Sequence, residues 1–203
     1  MVMEWGDVNM IYRFMYMAYP KGEVVLRTEN KGRHVSIAKS DEAVFLYYEA
    51  NDSNILPEEV VQGTFKVFPD GSCWKRLMEI FHYSKPQSDV HWERKIQNKT
   101  PWFRIMYLKP EMVGSYIFYH FQFQEEYPGE GDKYGAIYII ENMLIMYLEQ
   151  PTENDDSKYK GLLKTQNTPK ELWGQLMSEH FIAWENGEKK WKTLESRKME
   201  WEK

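Results

Sequence analysis

The stretch Ile11-Tyr-Arg-Phe-Met-Tyr-Met17 has a counterpart 91 residues later in Trp102-Phe-Arg-Ile-Met-Tyr-Leu108. Both stretches mix aromatic residues and methionine in the loose alternation that is typical of a β-strand. Arg13 aligns with Arg104, so each strand would carry one cation among apolar side chains. The pair predicts that one folding unit occurs twice in the chain.

Three further matches extend this repeat in the same order along the chain. Their offsets of 98 to 100 residues are larger than the first offset of 91 residues. The difference indicates one insertion in the second copy, which we place near the loop at residues 127–133. The matched segments are 44–49 with 144–149, 62–66 with 160–164, and Trp74-x-x-Leu77-Met78 with Trp173-x-x-Leu176-Met177. A nearly constant spacing favours a true internal repeat.

Apolar runs and turn residues predict the elements of each unit. Strands are expected at 9–18, 23–29, 34–38, 44–48 and 60–68, and again at 102–108, 116–125, 135–140, 143–149 and 159–164. From Ser72 the apolar spacing becomes helical, which predicts a helix that ends before Pro86. Thr168 and Pro169 begin the corresponding helix of the second unit.

The sequence therefore predicts an α+β fold of tandem duplicated units, each an antiparallel β-meander plus one helix, related by a pseudo-two-fold. The units are expected at residues 1–86 and 101–184, joined by a polar linker at 87–100. An amphipathic C-terminal helix is expected at 185–203. Its apolar side would hold Trp191, Leu194 and Trp201, docked either on the parent domain or on a partner.

The composition excludes several classes of protein. The 203 residues carry a net charge of −5, which argues against binding to nucleic acid or anionic lipid by bulk electrostatics. Cys73 is the single cysteine, so neither an intrachain disulfide nor a cysteine metal cage can form. Met1–Trp5 lacks the features of a secretion signal, and no apolar run approaches the length of about 18 residues that a membrane span needs. We expect a soluble, cytoplasmic protein.

No group of residues has the spacing of a known catalytic or metal site. The densest polar group lies at the end of the first predicted helix and in the linker: His82, Asp89, His91 and Glu93. This spacing fits no rigid metal-binding template, and a solvated polar linker explains it better. We therefore expect no catalytic residue, no metal and no cofactor.

The predicted strand at 116–125 carries the most informative side chains. A period of two would place one set on a single face: Tyr116, Phe118, His120, Gln122 and Gln124. Polar groups among aromatic residues are typical of a ligand cleft or a protein-binding sheet face, although an ordinary exposed sheet face also contains them. With Arg13 and Arg104, this set forms the candidate binding residues.

Three classes of function remain open. The first is a non-catalytic interaction or regulatory protein that binds a protein partner through the aromatic-rich sheet face. The second is an aromatic-lined small-molecule-binding protein or enzyme that uses His120 with Arg13 or Arg104, and clustering of these residues in one closed pocket would favour it. The third is single-stranded nucleic-acid binding, because tandem aromatic ββββα units with the basic turn Lys31–His34 resemble the PUR and Whirly types. The acidic balance makes nucleic acid the least expected partner.

Overall fold

The computed structural model describes residues 10–156 and 160–200 and confirms an α+β fold with mostly antiparallel sheets and few helices. In chain order the strands are β1 (Tyr12–Ala18), β2 (Val25–Leu26), β3 (Arg33–Lys39), β4 (Val44–Ala50), β5 (Val61–Gln62), β6 (Lys75–Arg76), β7 (Met78–His82), β8 (Thr100–Tyr107), β9 (Ala136–Ile140), β10 (Met143–Gln150), β11 (Lys192–Thr193) and β12 (Glu195–Lys198). The α-helices are α1 (Asp89–Trp92), α2 (Val113–Glu126) and α3 (Trp173–Ser178).

Two five-stranded sheets form the body of the molecule. Sheet I has the order β12-β3-β4-β1-β6, and sheet II has the order β11-β8-β10-β9-β7. The strands β2 and β5 pair separately as a small two-stranded ribbon. Strand pairing across the described ranges is antiparallel, and β1 aligns Arg13 with Glu49 of β4. The two sheets are therefore built around the hairpins β3–β4 and β9–β10.

The sheets pack face to face through their inner surfaces. Because side chains alternate along a strand, Met15 and Phe45 of sheet I and Phe103 of sheet II point into this inter-sheet core. Tyr47 and Tyr147 stack across it, with ring centroids 3.7 Å apart. Each tyrosine is fully buried, so this stack joins the two sheets directly.

Different elements cover the two outer faces. The outer face of sheet I is covered by the loops around β2 and β5, against which Phe14, Tyr16 and Tyr48 pack. The outer face of sheet II is covered by α2 and α3, whose side chains meet Met106 and Leu144. Loops fill the first face, whereas helices stand over the second and leave a cavity beneath them.

Two segments cross from one sheet to the other. The chain runs from β6, at the edge of sheet I beside β1, straight into β7, at the edge of sheet II beside β9. It later runs from β11, beside β8, into β12, beside β3. Leu77 and Leu194 lie at the two crossing points and pack into the inter-sheet core. Each sheet is therefore completed by a strand from the other half of the chain.

The helix predicted from Ser72 is wrong. Trp74 packs outside sheet I, Leu77 lies between the sheets, and Phe81 packs outside sheet II. Their helical spacing therefore reflects a strand that passes through three separate apolar environments. The predicted C-terminal helix is also wrong, because Lys192–Thr193 and Glu195–Lys198 form the strands β11 and β12.

The strand predicted at 116–125 is also wrong, because Val113–Glu126 forms helix α2. A one-turn 3-10 helix with Pro110 at its start leads into it, as suits a residue that lacks an N–H group. Val113, Tyr116 and Ile117 pack towards sheet II at helical spacing. The period-two face of Tyr116, Phe118, His120, Gln122 and Gln124 therefore does not exist.

The predicted equivalence of Arg13 and Arg104 does not hold. Arg13 pairs in register with Glu49, whereas Arg104 pairs with Met146. Arg13 faces the inter-sheet space, and Arg104 faces the helices over sheet II. The two arginines thus serve opposite faces of their sheets.

Residues 160–164, predicted as part of a strand, contain none. Three predictions fall on Met1–Trp5, Tyr159 and Trp201, which lie outside the described residues. Within the described ranges, no helix has the length and apolar character needed to cross a membrane.

Candidate functional site

A cavity of about 430 Å³ lies between the outer face of sheet II and the helices α2 and α3. Strands β8, β9 and β10 form its floor through Arg104, Ile137 and Met146. The segment that precedes β11 closes one side with Trp191. Its volume lies within the range of about 300–1,000 Å³ that is usual for small-molecule sites.

Aromatic rings form the wall of this cavity. His120 of α2 lies with its ring centroid 4.0 Å from that of Tyr116, 5.2 Å from Phe81 and 5.0 Å from Trp173. Phe123 continues the wall, 4.8 Å from Trp173. Helix α2 supplies three of these rings because its positions 116, 120 and 123 recur at helical spacing on the side that faces the sheet. The resulting surface suits a flat, apolar molecule.

Arg104 is the cation on the floor of the cavity, and no carboxylate among the described residues forms an ion pair with it. Its guanidinium lies 4.9 Å from the ring centroid of Trp102 and 5.8 Å from that of Trp191. Its Nε atom is buried without a hydrogen-bond partner. Burial lowers the pKa of Arg104 below its ordinary value, and Tyr83 opposes only part of this shift.

The other two arginines in the interior are fully paired. Arg13 donates from Nη2 to Glu79 over 2.6 Å. Arg94 makes four hydrogen bonds, two to Glu49 and two to Glu149. A buried cation is ordinarily paired with acidic side chains, as Arg13 and Arg94 are. Arg104 differs from these two arginines because it has no such pair among the described residues.

His120 is a neutral hydrogen-bond acceptor. Its Nδ1 atom lies 2.9 Å from the backbone carbonyl oxygen of Tyr116, so Nδ1 carries the proton and donates it. Burial lowers the pKa of His120 to about 4, which keeps the ring uncharged at neutral pH. Its Nε2 atom is left as an acceptor on the wall of the cavity.

The structure gathers three of the seven candidate binding residues in this cavity: Arg104, Tyr116 and His120. The other four lie elsewhere. Phe118 points outward and is 60% exposed. Gln122 donates to Glu126, Gln124 donates to Glu125, and Arg13 lies between the sheets.

Several residues of the site were not predicted from the sequence as functional: Phe81, Phe123, Trp173 and Trp191. They come from a strand, two helices and a loop that are distant in sequence. The helical spacing of Val113, Tyr116, Ile117 and His120 was the available signal for the wall that α2 provides.

The predicted linker contains a second constellation, which closes the end of the inter-sheet core. Trp92 of α1 is 1% exposed and donates to Glu49, and Arg94 binds Glu49 and Glu149 from opposite sheets. Tyr47 and Tyr147 donate to the same two carboxylates. All three donor nitrogens of Arg94 are engaged, so this network has a structural role.

The polar group singled out in the sequence does not converge. His82 contacts Glu79, Asp89 contacts Arg33, and His91 contacts Asp155. Among the described residues, no three histidine, cysteine or acidic side chains come together as a metal site.

No family model and no curated protein matches the sequence. Among solved structures, the chain is similar to one described as "Putative monooxygenase" from Fusobacterium nucleatum subsp. nucleatum. The two share 9% sequence identity with a TM-score of 0.43, over 94% of this chain and 93% of the other. A likeness at this level carries no conclusion about activity.

Proposed function

We propose that this protein binds a small, largely apolar molecule in the cavity beneath α2 and α3. The observation that supports the proposal is the meeting of Arg104, Tyr116 and His120 in one aromatic-lined cavity. Clustering of these side chains is what distinguishes a ligand site from an ordinary exposed surface. Aromatic rings would hold the body of the ligand, and the two polar groups would orient it.

His120 fits a binding role better than a role as a base. A ring with a pKa of about 4 is a weak proton acceptor at neutral pH, but its Nε2 atom accepts a hydrogen bond from a ligand N–H or O–H group. Arg104 supplies donors at a different wall of the cavity. The site therefore combines one acceptor and one cation in an apolar enclosure.

The proposal is tested by filling the cavity. Gly174 of α3 lines it, and a Cβ atom added there meets nothing within 4 Å, so Gly174→Leu adds an apolar side chain without a clash at that atom. Gly114 of α2 has the same freedom but does not line the cavity, so Gly114→Leu is the matched control. Ligand-detected NMR with neutral and charged naphthalene derivatives should show binding to the wild type and the control. Equal binding to Gly174→Leu would contradict the proposal.

A protein partner is the second candidate, supported by the outward side of α2. Phe118 and Phe121 lie one turn apart there and are 60% and 44% exposed. Large exposed aromatic side chains are enriched where proteins bind one another. If this surface binds a partner, Phe118→Ser with Phe121→Ser should abolish co-purification of a specific protein, while Gly174→Leu should not affect it. Retention of the same protein by the double variant would remove this candidate.

Single-stranded nucleic acid is the third candidate. The basic turn Lys31–His34 that would bind it is already paired with acidic side chains of the protein. Lys31 lies 2.5 Å from Glu59, and Arg33 lies 3.1 Å from Asp89. A fluorescent oligonucleotide should therefore show no salt-dependent binding. Tight binding that weakens steeply with salt would reverse this order of candidates.

We also propose that the two sheets derive from a duplicated unit. The strand registers support an offset of 88 residues between β1 and β8, which aligns Tyr16 with Arg104. They support an offset of 100 residues between β4 and β10, which aligns Glu49 with Glu149. The crossing segments Trp74-Lys-Arg-Leu77 and Trp191-Lys-Thr-Leu194 correspond as well. In an experimental structure, superposing β1 and β4 on β8 and β10 should bring β6 onto β11. A superposition that leaves β6 on another strand would contradict the duplication.

A further inference from the structure

Arg104 is a half-buried cation for which the described part of the chain supplies no counter-ion. No carboxylate within residues 10–156 and 160–200 forms an ion pair with it, and its buried Nε atom has no acceptor. A guanidinium presents five N–H donors, and burying even one of them without an acceptor is costly. The neighbouring rings of Trp102 and Trp191 offset part of this cost through cation–π contact, but they accept no proper hydrogen bond.

Packing alone does not require an arginine at this position. In sheet I the residue with the matching neighbours is Tyr16, which pairs with Leu46 and Arg76 as Arg104 pairs with Met146 and Thr193. Tyr16 is buried and stacks on Tyr48, with ring centroids 6.0 Å apart. An aromatic residue therefore completes the outer core of sheet I, whereas sheet II has a cation and a cavity.

The other charged residues in the lining of the cavity are two lysines and one glutamate. Lys189 and Lys190 lie beside Arg104, and Lys190 is also 3.5 Å from Glu188. Glu130 is the acidic residue in its lining, and Glu130 is itself paired with Lys170 over 2.6 Å. The cavity thus offers a positive potential inside an apolar wall, which favours an anion.

From these observations we propose that the ligand of the cavity is an aromatic monoanion, such as an aromatic carboxylate, whose anionic group binds Arg104. This inference rests on the proposed small-molecule function and assigns the chemical class of its ligand. A carboxylate accepts two parallel hydrogen bonds from the planar guanidinium fork, a geometry that arginine provides and lysine does not. The ring of the ligand then lies against the wall formed by Phe123 and Trp173.

The test compares two probes of the same shape, 2-naphthoate and the neutral 2-naphthamide, by isothermal titration calorimetry on the full chain. Wild type should bind the carboxylate about 10- to 100-fold more tightly, as expected for charge-assisted hydrogen bonds. Arg104→Gln should remove this preference while keeping the affinity for the amide. Arg104→Lys should keep only part of it, because the fork is lost.

Arg76→Gln is the matched control. Arg76 also lies over an aromatic ring, 5.0 Å from the centroid of Phe14, but on sheet I and away from the cavity. This variant should retain the full preference for 2-naphthoate. Circular dichroism of each variant establishes that it is folded before titration.

The outcomes separate this inference from the proposed function. If both probes bind equally, and Gly174→Leu blocks both, the cavity is a ligand site but the anionic class is wrong. If 2-naphthoate is preferred and Arg104→Gln leaves the preference intact, the inference is also overturned. If neither probe binds to the wild type, the proposed function fails with it.

Discussion

Replacing Arg94 with methionine should destabilise the protein more than any surface charge change. Arg94 joins the two sheets, because its guanidinium binds Glu49 of sheet I and Glu149 of sheet II through contacts of 2.7–3.2 Å. Methionine fills a similar volume but leaves two buried carboxylates without their cation. Removing one partner of a buried ion pair costs about 3–5 kcal/mol, so we expect at least that loss of unfolding free energy.

The same change lowers thermal stability. For a protein of this length, each kcal/mol corresponds to a fall of about 2–4 °C in the melting temperature, so the expected fall is roughly 6–20 °C. Equilibrium unfolding in urea, followed by circular dichroism and tryptophan fluorescence at pH 7, measures the free energy. The triple variant Arg94→Met, Glu49→Gln, Glu149→Gln should recover much of it, because the unpaired charges are then absent.

An exposed ion pair provides the control. Lys95 lies 2.6 Å from Asp156, with the two side chains 62% and 77% exposed, and Lys95→Met should leave the urea midpoint almost unchanged. A cost below about 1 kcal/mol for Arg94→Met would show that the network does not join the sheets as described. A triple variant no more stable than Arg94→Met would refute the role of unpaired charge.

Two further predictions concern the contacts between the end of α2 and residues 161–168. Burial alone would raise the pKa of Glu126, but hydrogen bonds from Thr165 and Thr168 lower it to about 2, so its stabilisation is complete above about pH 4.5 and is lost as pH falls towards 2. Glu126→Gln should therefore weaken the dependence of unfolding free energy on pH in that window, and an unchanged profile would contradict this. A Cβ atom on Gly161 would clash with the backbone carbonyl of Glu125, so Gly161→Ala should cost about 1–3 kcal/mol. Gly114→Ala, with open space around its added Cβ, should instead be neutral or stabilising, and equal urea midpoints for the two variants would disprove the clash.

The sequence predicts the hairpins, but it predicts a strand at 116–125 where the structure has helix α2. Residues 143–149 read as a strand because their apolar run is short and bounded by turns. The stretch 116–125 contains aromatic residues that favour strands in general, and this local preference concealed the helical spacing of Val113, Tyr116 and Ile117. Packing against sheet II decided the outcome, since it buries one side of the segment and leaves Phe118 outside.

The crossing strands could not have been predicted from spacing. Trp74, Leu77 and Phe81 each enter a different apolar core, and a single sequence does not reveal how many cores a segment traverses. The site was predicted only in part for a related reason. Arg104 and His120 are identifiable as unusual polar residues among aromatics, but their meeting depends on how α2 lies across sheet II.

The binding of 2-naphthoate to wild type and to Gly174→Leu, measured by calorimetry, tests the ligand site most directly. Gly174 lines the cavity at an exposed position of α3, and its substitution by leucine changes no charge and adds apolar volume at the rim of the cavity. We predict saturable binding to the wild type and to Gly114→Leu, and a loss of binding in Gly174→Leu. Unchanged binding in Gly174→Leu would show that the cavity beneath α2 and α3 is not the ligand site.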